Sequence, residues 1–124
     1  MADDPQLLAH LSILLVDDEP LVLHSMSRLL TRRGARVETA LNGLEALQKT
    51  KQASFDWIIS DVRMPGMDGP SMLRELKARG EPLPQVVFVT GYADLTEAEA
   101  LQLGAVKLLL KPTPLKTLLE LILG

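Results

Sequence analysis

Ser12-Ile13-Leu14-Leu15-Val16 runs directly into Asp17-Asp18-Glu19-Pro20, and this junction decides the fold. Five residues with four consecutive apolar side chains suit a short strand covered on both faces, as in a parallel sheet. The three acids mark where the strand leaves its cover, and the proline suits the first turn of a following helix. Strand, acidic rim and helix in that order form one half of a βαβ unit. The rest of the chain repeats the alternation.

Four further strands are expected at Arg36–Ala40, Asp56–Ser60, Gln85–Thr90 and Val106–Leu110. The third, fourth and fifth are nearly all apolar and read as covered on both faces. The second alternates Val37 and Thr39 with Arg36 and Glu38, as an edge strand does. Helices are expected over Pro20–Arg33 with a stop at Gly34, from Asn42 to about Lys51, over Gly69–Arg79 with a stop at Gly80, from Thr96 to near Gly104, and over Pro114–Leu123. Thr96 and Glu99 stand at capping-box spacing. Strands alternating with helices specify an α/β domain with a doubly wound parallel sheet. The leucines of the last helix form a broad apolar face; any surplus beyond what the sheet covers would favour self-association or a partner, whereas full burial would leave no such surface.

The 124 residues suit one domain, 1–124, with about 1–10 as an N-terminal tail. At 47% hydrophobic and 23% charged, the chain is too apolar for disorder. A net charge of -3 gives no electrostatic reason to bind nucleic acid. With no cysteine there are no disulfides, thiol chemistry or Cys-zinc sites. The apolar runs fall far short of the roughly 18–20 residues that span a bilayer, and the first ten residues lack the features of a secretory signal. A cytoplasmic location is therefore expected.

Open parallel sheets bind ligands outside the carboxyl ends of their strands. There the sequence places Asp17, Asp18 and Glu19, then Asp61, Thr90, and Lys111 with Pro112. Carboxylates converging at one rim repel each other unless a hard cation joins them, and Mg2+ suits a site with a few carboxylates and retained water. A lysine and a hydroxyl complete what a phosphoryl group needs around its oxygens. Asp61 stands alone before the turn Met64-Pro65-Gly66, so it is the expected nucleophile, with Asp17 and Asp18 holding the metal. Each residue alone has an ordinary explanation as a cap, turn or strand end; their joint placement does not. His24 and Trp57 read as surface and packing residues, His10 as part of the tail.

Leu14–Pro20, the stretch Ser60-Asp61-Val62-Arg63-Met64-Pro65-Gly66-Met67-Asp68-Gly69, Val89-Thr90-Gly91-Tyr92-Ala93-Asp94 and Leu110-Lys111-Pro112 resemble the motifs of response regulator receiver domains in order and separation. The resemblance implies a flavodoxin-like (βα)5 fold with strand order 2-1-3-4-5. It also implies phosphoryl transfer to Asp61 from a sensor histidine kinase or phosphotransfer protein, with an output domain or downstream protein as the reader and a phosphorylation-dependent homodimer as one outcome. By the same matching, Asp18, Asp61 and the Arg63 carbonyl would be direct Mg2+ ligands, Asp17 would act through water, and Thr90 and Lys111 would bind phosphoryl oxygens. The Lys111–Pro112 bond is expected to be cis. Arg63 and Tyr92 would border the path of the hydrolytic water.

Two positions depart from the family pattern. Leu108 stands where a switching aromatic is usual, and Thr113 stands where an aromatic often follows the proline. Two other functions compete with the phosphoacceptor reading. One is a receiver-like scaffold that only binds protein, which Leu108 favours and the five intact site residues oppose. The other is an aspartyl-phosphate hydrolase, whose Asp-x-Asp spacing is broken here because Glu19 follows Asp17 at two residues.

Overall fold

The computed structural model describes residues 3–92 and 95–124, so Met1 and Ala2 of the expected tail, and Ala93 and Asp94 of the third motif group, lie outside the described residues. The chain alternates β1 (Ser12–Val16), α1 (Pro20–Thr31), β2 (Arg36–Ala40), α2 (Gly43–Gln52), β3 (Trp57–Asp61), α3 (Gly69–Ala78), β4 (Gln85–Thr90), α4 (Glu97–Leu103), β5 (Lys107–Leu110) and α5 (Leu115–Leu123). The strands are parallel and ordered β2-β1-β3-β4-β5. This is the doubly wound arrangement expected from the sequence.

Helix starts follow local chemistry. The Asn42 side chain accepts from the Glu45 N–H at 2.9 Å and Asp68 accepts from the Ser71 N–H at 2.8 Å, while Thr96 and Glu99 form the reciprocal capping box. Each satisfies donors that a helix N-terminus leaves unpaired.

Side-chain alternation divides the core into two. Leu14, Val16, Ile58, Val86 and Phe88 face α2, α3 and α4, whereas Ile13, Leu15, Ile59 and Val89 face α1 and α5. By the period of two, Asp17, Asp61 and Lys111 continue the α1/α5 rows at their upper ends, and Thr90 continues the row of Phe88 on the other side. The fold thereby decides which polar groups can meet.

Three expectations need correction. β3 runs one residue later than expected, because Asp56 instead joins the strand bases together: its carboxylate accepts from the Ser12 N–H at 2.8 Å and its carbonyl from the Gln85 N–H at 2.9 Å. β5 lies at the sheet edge and its cover is only partial: Leu108 packs half-buried against the α2–α4 core and Leu109 half-buried against the α1/α5 core, while Leu110 is exposed. An apolar run cannot distinguish edge from centre. The segment expected as an N-terminal tail is docked in its described part: Leu8 is fully buried, and its N–H donates to the Arg33 carbonyl at 2.7 Å. Gly34 makes this approach feasible, since at φ +96° a Cβ there would lie 2.8 Å from the Pro5 carbonyl oxygen.

α5 buries Leu118 and Leu119, half-buries Leu115, Leu121 and Ile122, and leaves Leu123 exposed. The surplus apolar surface is therefore confined to its outer end. Trp57 packs partly buried at the base of β3 and His24 is exposed on α1, as expected.

Candidate functional site

Register brings the acids together. Val16 pairs with Ser60, so the next residues, Asp17 and Asp61, leave adjacent strands side by side. Asp61 pairs with Val89, Thr90 with Leu110, and the Lys111 N–H donates to the Thr90 carbonyl at 2.8 Å. Lys111 then reaches back over β4. Its ammonium donates to Asp17 Oδ2 at 2.9 Å and to Asp61 Oδ2 at 3.0 Å, and Glu19 Oε1 lies 3.9 Å away.

The remaining carboxylate oxygens are also engaged. Asp17 Oδ1 accepts from the Glu19 N–H at 2.9 Å, and Asp61 Oδ1 accepts from the Val62 N–H at 2.8 Å. Asp17 and Asp61 are both buried, at 6% and 7% exposure. Burial raises the Asp61 pKa above the ordinary carboxylate value, and the neighbouring Asp17 charge adds to this; hydrogen bonding and charge from Lys111, with the Val62 N–H, offset only part. For Lys111, burial acts downward, but hydrogen bonds and charge from Asp17 and Asp61 outweigh it and leave the pKa raised. Lys111 remains a cation clamped between two acids.

Carboxylate oxygens of Asp17, Asp18 and Glu19 lie within 4.8 Å of one another. Around Mg2+ at about 2.0–2.1 Å, octahedral oxygens stand roughly 2.9–4.2 Å apart. The donor set therefore fits a hard divalent cation after small adjustment. Asp18, Asp61, Arg63 and Lys111 line one open cleft of about 540 Å3 beside Gly91 and Tyr92. Glu19, which has no assigned role in the motif reading, also belongs to this group, and its place in the run of three acids is the signal for it.

Thr90 is placed differently from the other expected site residues. It is fully buried, its hydroxyl donates to the Tyr92 carbonyl at 3.2 Å, and its oxygen accepts from the Tyr92 N–H at 3.0 Å. Contact with a phosphoryl oxygen requires this turn to open. The Lys111–Pro112 bond is cis.

Gly69 opens α3 directly behind Asp61. A Cβ there would stand 2.5 Å from the Asp61 carbonyl oxygen and 2.9 Å from a Phe88 ring carbon, so backbone and ring would both have to move. Gly69→Ala is expected to cost about 1–3 kcal/mol of stability, as overpacking does. Urea denaturation measures this, and an unchanged midpoint would show that the contact relaxes freely.

The Arg63 guanidinium carbon lies 4.4 Å from the Tyr92 ring centroid, so the two residues expected to border the site stack over its outer wall. Both are exposed at this wall.

The family description "response regulator receiver domain" matches residues 13–123. The chain is 41% identical over 101 residues to transcriptional regulatory protein ZraR of Klebsiella oxytoca, an alignment spanning 81% of this chain and 23% of that protein. It thus spans about a quarter of that relative's length. The chemotaxis protein CheY4 of Vibrio cholerae superposes with a TM-score of 0.84 at 33% identity, covering 93% of this chain and 98% of that one. A response regulator protein of Burkholderia pseudomallei, whose structure contains a phosphorylated aspartic acid, a calcium ion and citrate, gives a TM-score of 0.79 at 30% identity over 88% of this chain and 64% of that one. Fold, rim and sequence likeness agree: the chain belongs to the response regulator receiver domain family of two-component signalling.

Proposed function

We propose that Asp61 accepts a phosphoryl group from a phosphohistidine of a sensor histidine kinase or phosphotransfer protein, in a Mg2+-dependent reaction. The observation that carries this reading is one ammonium held by two buried carboxylates on adjacent strands, beside further acids at an open cleft. The phosphorylated aspartic acid and calcium ion of the Burkholderia relative support it.

In the proposed step an Asp61 carboxylate oxygen attacks phosphorus as the phosphorus–nitrogen bond breaks, and that bond's electron pair returns to the imidazole ring. An acyl phosphate results. A divalent cation, when bound, would supply charge neutralisation at the phosphoryl oxygens; Asp18, Asp61 and the Arg63 carbonyl would hold it, with Asp17 acting through water. Lys111 exchanges its Asp61 contact for a phosphoryl oxygen, and the Thr90 hydroxyl leaves Tyr92 to donate to another. The chain acts as a phosphoacceptor that speeds its own phosphorylation and dephosphorylation, not as a turnover enzyme.

Readout is proposed at the face of α4, β5 and α5, where Leu101, Val106, Leu110 and Leu123 are exposed and suit a downstream protein, an output domain or a second copy. Leu108, partly buried against the α2–α4 core, has no ring to move there, which leaves the Thr90–Tyr92 turn as the moving part. No helix among the described residues is long and apolar enough to cross a membrane, and a cytoplasmic location is proposed.

The test is incubation with a small-molecule phosphodonor and Mg2+. A gain of ~80 Da, mapped to the peptide carrying Asp61 and absent when the metal is chelated, is expected. No gain with any competent donor would reduce the chain to a protein-binding scaffold. If the Arg63–Tyr92 stack screens the acyl phosphate from water, Arg63→Ala and Tyr92→Ala will each shorten its lifetime about two- to fivefold, the range of an exposed cation–π contact. The double variant should lose little more than either single one. Unchanged phosphate release would remove the shielding role.

A further inference from the structure

A second cavity lies beneath the acidic rim, on the α1/α5 side of the sheet. It encloses about 410 Å3. Leu15, Ile59 and Val89 form its floor, with Met26 of α1 and Leu118 of α5 as walls, and Thr113 of the β5–α5 loop at its roof. α1 lies over β1 and β2, α5 brings Leu118 to the same side of the sheet, and the short side chain of Thr113 lines the space between them without filling it. The cavity is therefore a gap in packing with an open mouth.

The mouth is polar and its charge is unbalanced. Asp17, Glu19 and Asp61 border it, against the single ammonium of Lys111. An apolar chamber of 300–1,000 Å3 with a few polar groups at one end is the usual form of a small-molecule site. A cavity of ~150 Å3 holds benzene, so this one has room for a two-ring body. The excess of carboxylates selects the sign of the head group.

We propose that this cavity binds a small amphipathic amine, with its apolar or aromatic body between α1 and α5 and its cationic head at Asp17 and Asp61. Binding itself does not depend on Asp61 being a phosphoacceptor. Its consequence rests on the phosphoacceptor reading: an amine head placed there competes with a divalent cation for the same carboxylates, so such a ligand holds the domain unphosphorylated.

The test uses naphthylmethylamine, with naphthylmethanol and naphthoate as its neutral and anionic counterparts, titrated into the full chain and followed by amide and methyl NMR. The amine is expected to shift resonances of Leu15, Val89 and Leu118, to bind at least threefold more tightly than the alcohol, and to weaken when Mg2+ is added; the carboxylate should not bind. Thr113→Phe and Met26→Phe, which fill the chamber from two sides, should each weaken the amine at least tenfold while keeping dispersed spectra. Equal binding of all three probes, no shifts at the floor residues, or affinity retained in both filled variants would overturn the proposal. If the amine binds but no phosphodonor adds mass, the phosphoacceptor reading falls alone; if mass is gained but no amine binds, the cavity proposal falls alone.

Discussion

Asp61→Asn is expected to lose the ~80 Da gain entirely and, in metal-free buffer at neutral pH, to melt above the wild type. The first effect follows from removing the carboxylate oxygen proposed to attack phosphorus. The second follows from burial. The Asp61 carboxyl is 7% exposed, and its pKa is raised by desolvation and by Asp17. A carboxyl with a raised folded-state pKa contributes stability below the unfolded value of 3.8 and loses it as pH rises through the folded value, so ionised Asp61 costs the fold at pH 7. Asparagine gives up one accepted hydrogen bond, from Val62 or from Lys111, at about 1 kcal/mol. It also removes a buried negative charge beside another, and because the Asp61 pKa stays raised despite the Lys111 contact, that charge is a net cost to the fold. The second effect wins, and a net gain of ~1 kcal/mol is typical of relieving a functional site. For a chain of this size that is roughly 3–5 °C. The gain should shrink as pH is lowered toward 3.8. A variant that melts lower at pH 7, or that still gains phosphate, contradicts the account.

The strand ends were legible in the sequence because a parallel sheet forces its polar groups to the carboxyl rim, and four apolar strands left few places for Asp17, Asp61 and Lys111 to go. Alternation even fixes their common side, two residues beyond Leu15, Ile59 and Leu109. The same alternation puts Thr90 on the opposite side, behind Phe88, which explains why its hydroxyl bonds to Tyr92 instead of joining Lys111. Leu8 escaped because a single buried leucine in an irregular segment has no period to reveal it. The chamber below the rim escaped for a related reason: Thr113 can be read as one small residue in a loop, but an unfilled volume belongs to the distance between two helices and has no local signature. The edge position of β5 is carried by the strand order that the motif resemblance implies, and hydrophobicity alone does not encode it.

Lys111→Met reverses the sign of the Asp61 result. It leaves Asp17, Glu19 and Asp61 facing one another with no ammonium among them, and breaking a buried ion pair from one side commonly costs 3–5 kcal/mol. The lysine side chain is 26% exposed, so solvent screens part of this and a loss of ~2 kcal/mol is expected in the presence of a chelator. The raised pKa of Lys111 gives a second signature. A lysine with a raised folded-state pKa supplies stability that is complete below the unfolded value of 10.5 and is lost as pH rises through the folded value. Wild type should therefore lose stability along that alkaline limb, while the methionine variant, already without the charge, should follow a flatter course. Adding a divalent cation should stabilise the variant more than the wild type, because it restores positive charge where none is left. Phosphorylation should still fall, by about 10²–10³-fold, since the proposed contact of the amine with a phosphoryl oxygen would be lost. Urea melts with and without Mg2+, at pH 7 and above 10, separate the two roles of the lysine. A variant as stable as wild type in chelator would show that the ammonium does not hold the acids together, and normal phosphorylation at reduced stability would confine Lys111 to the fold.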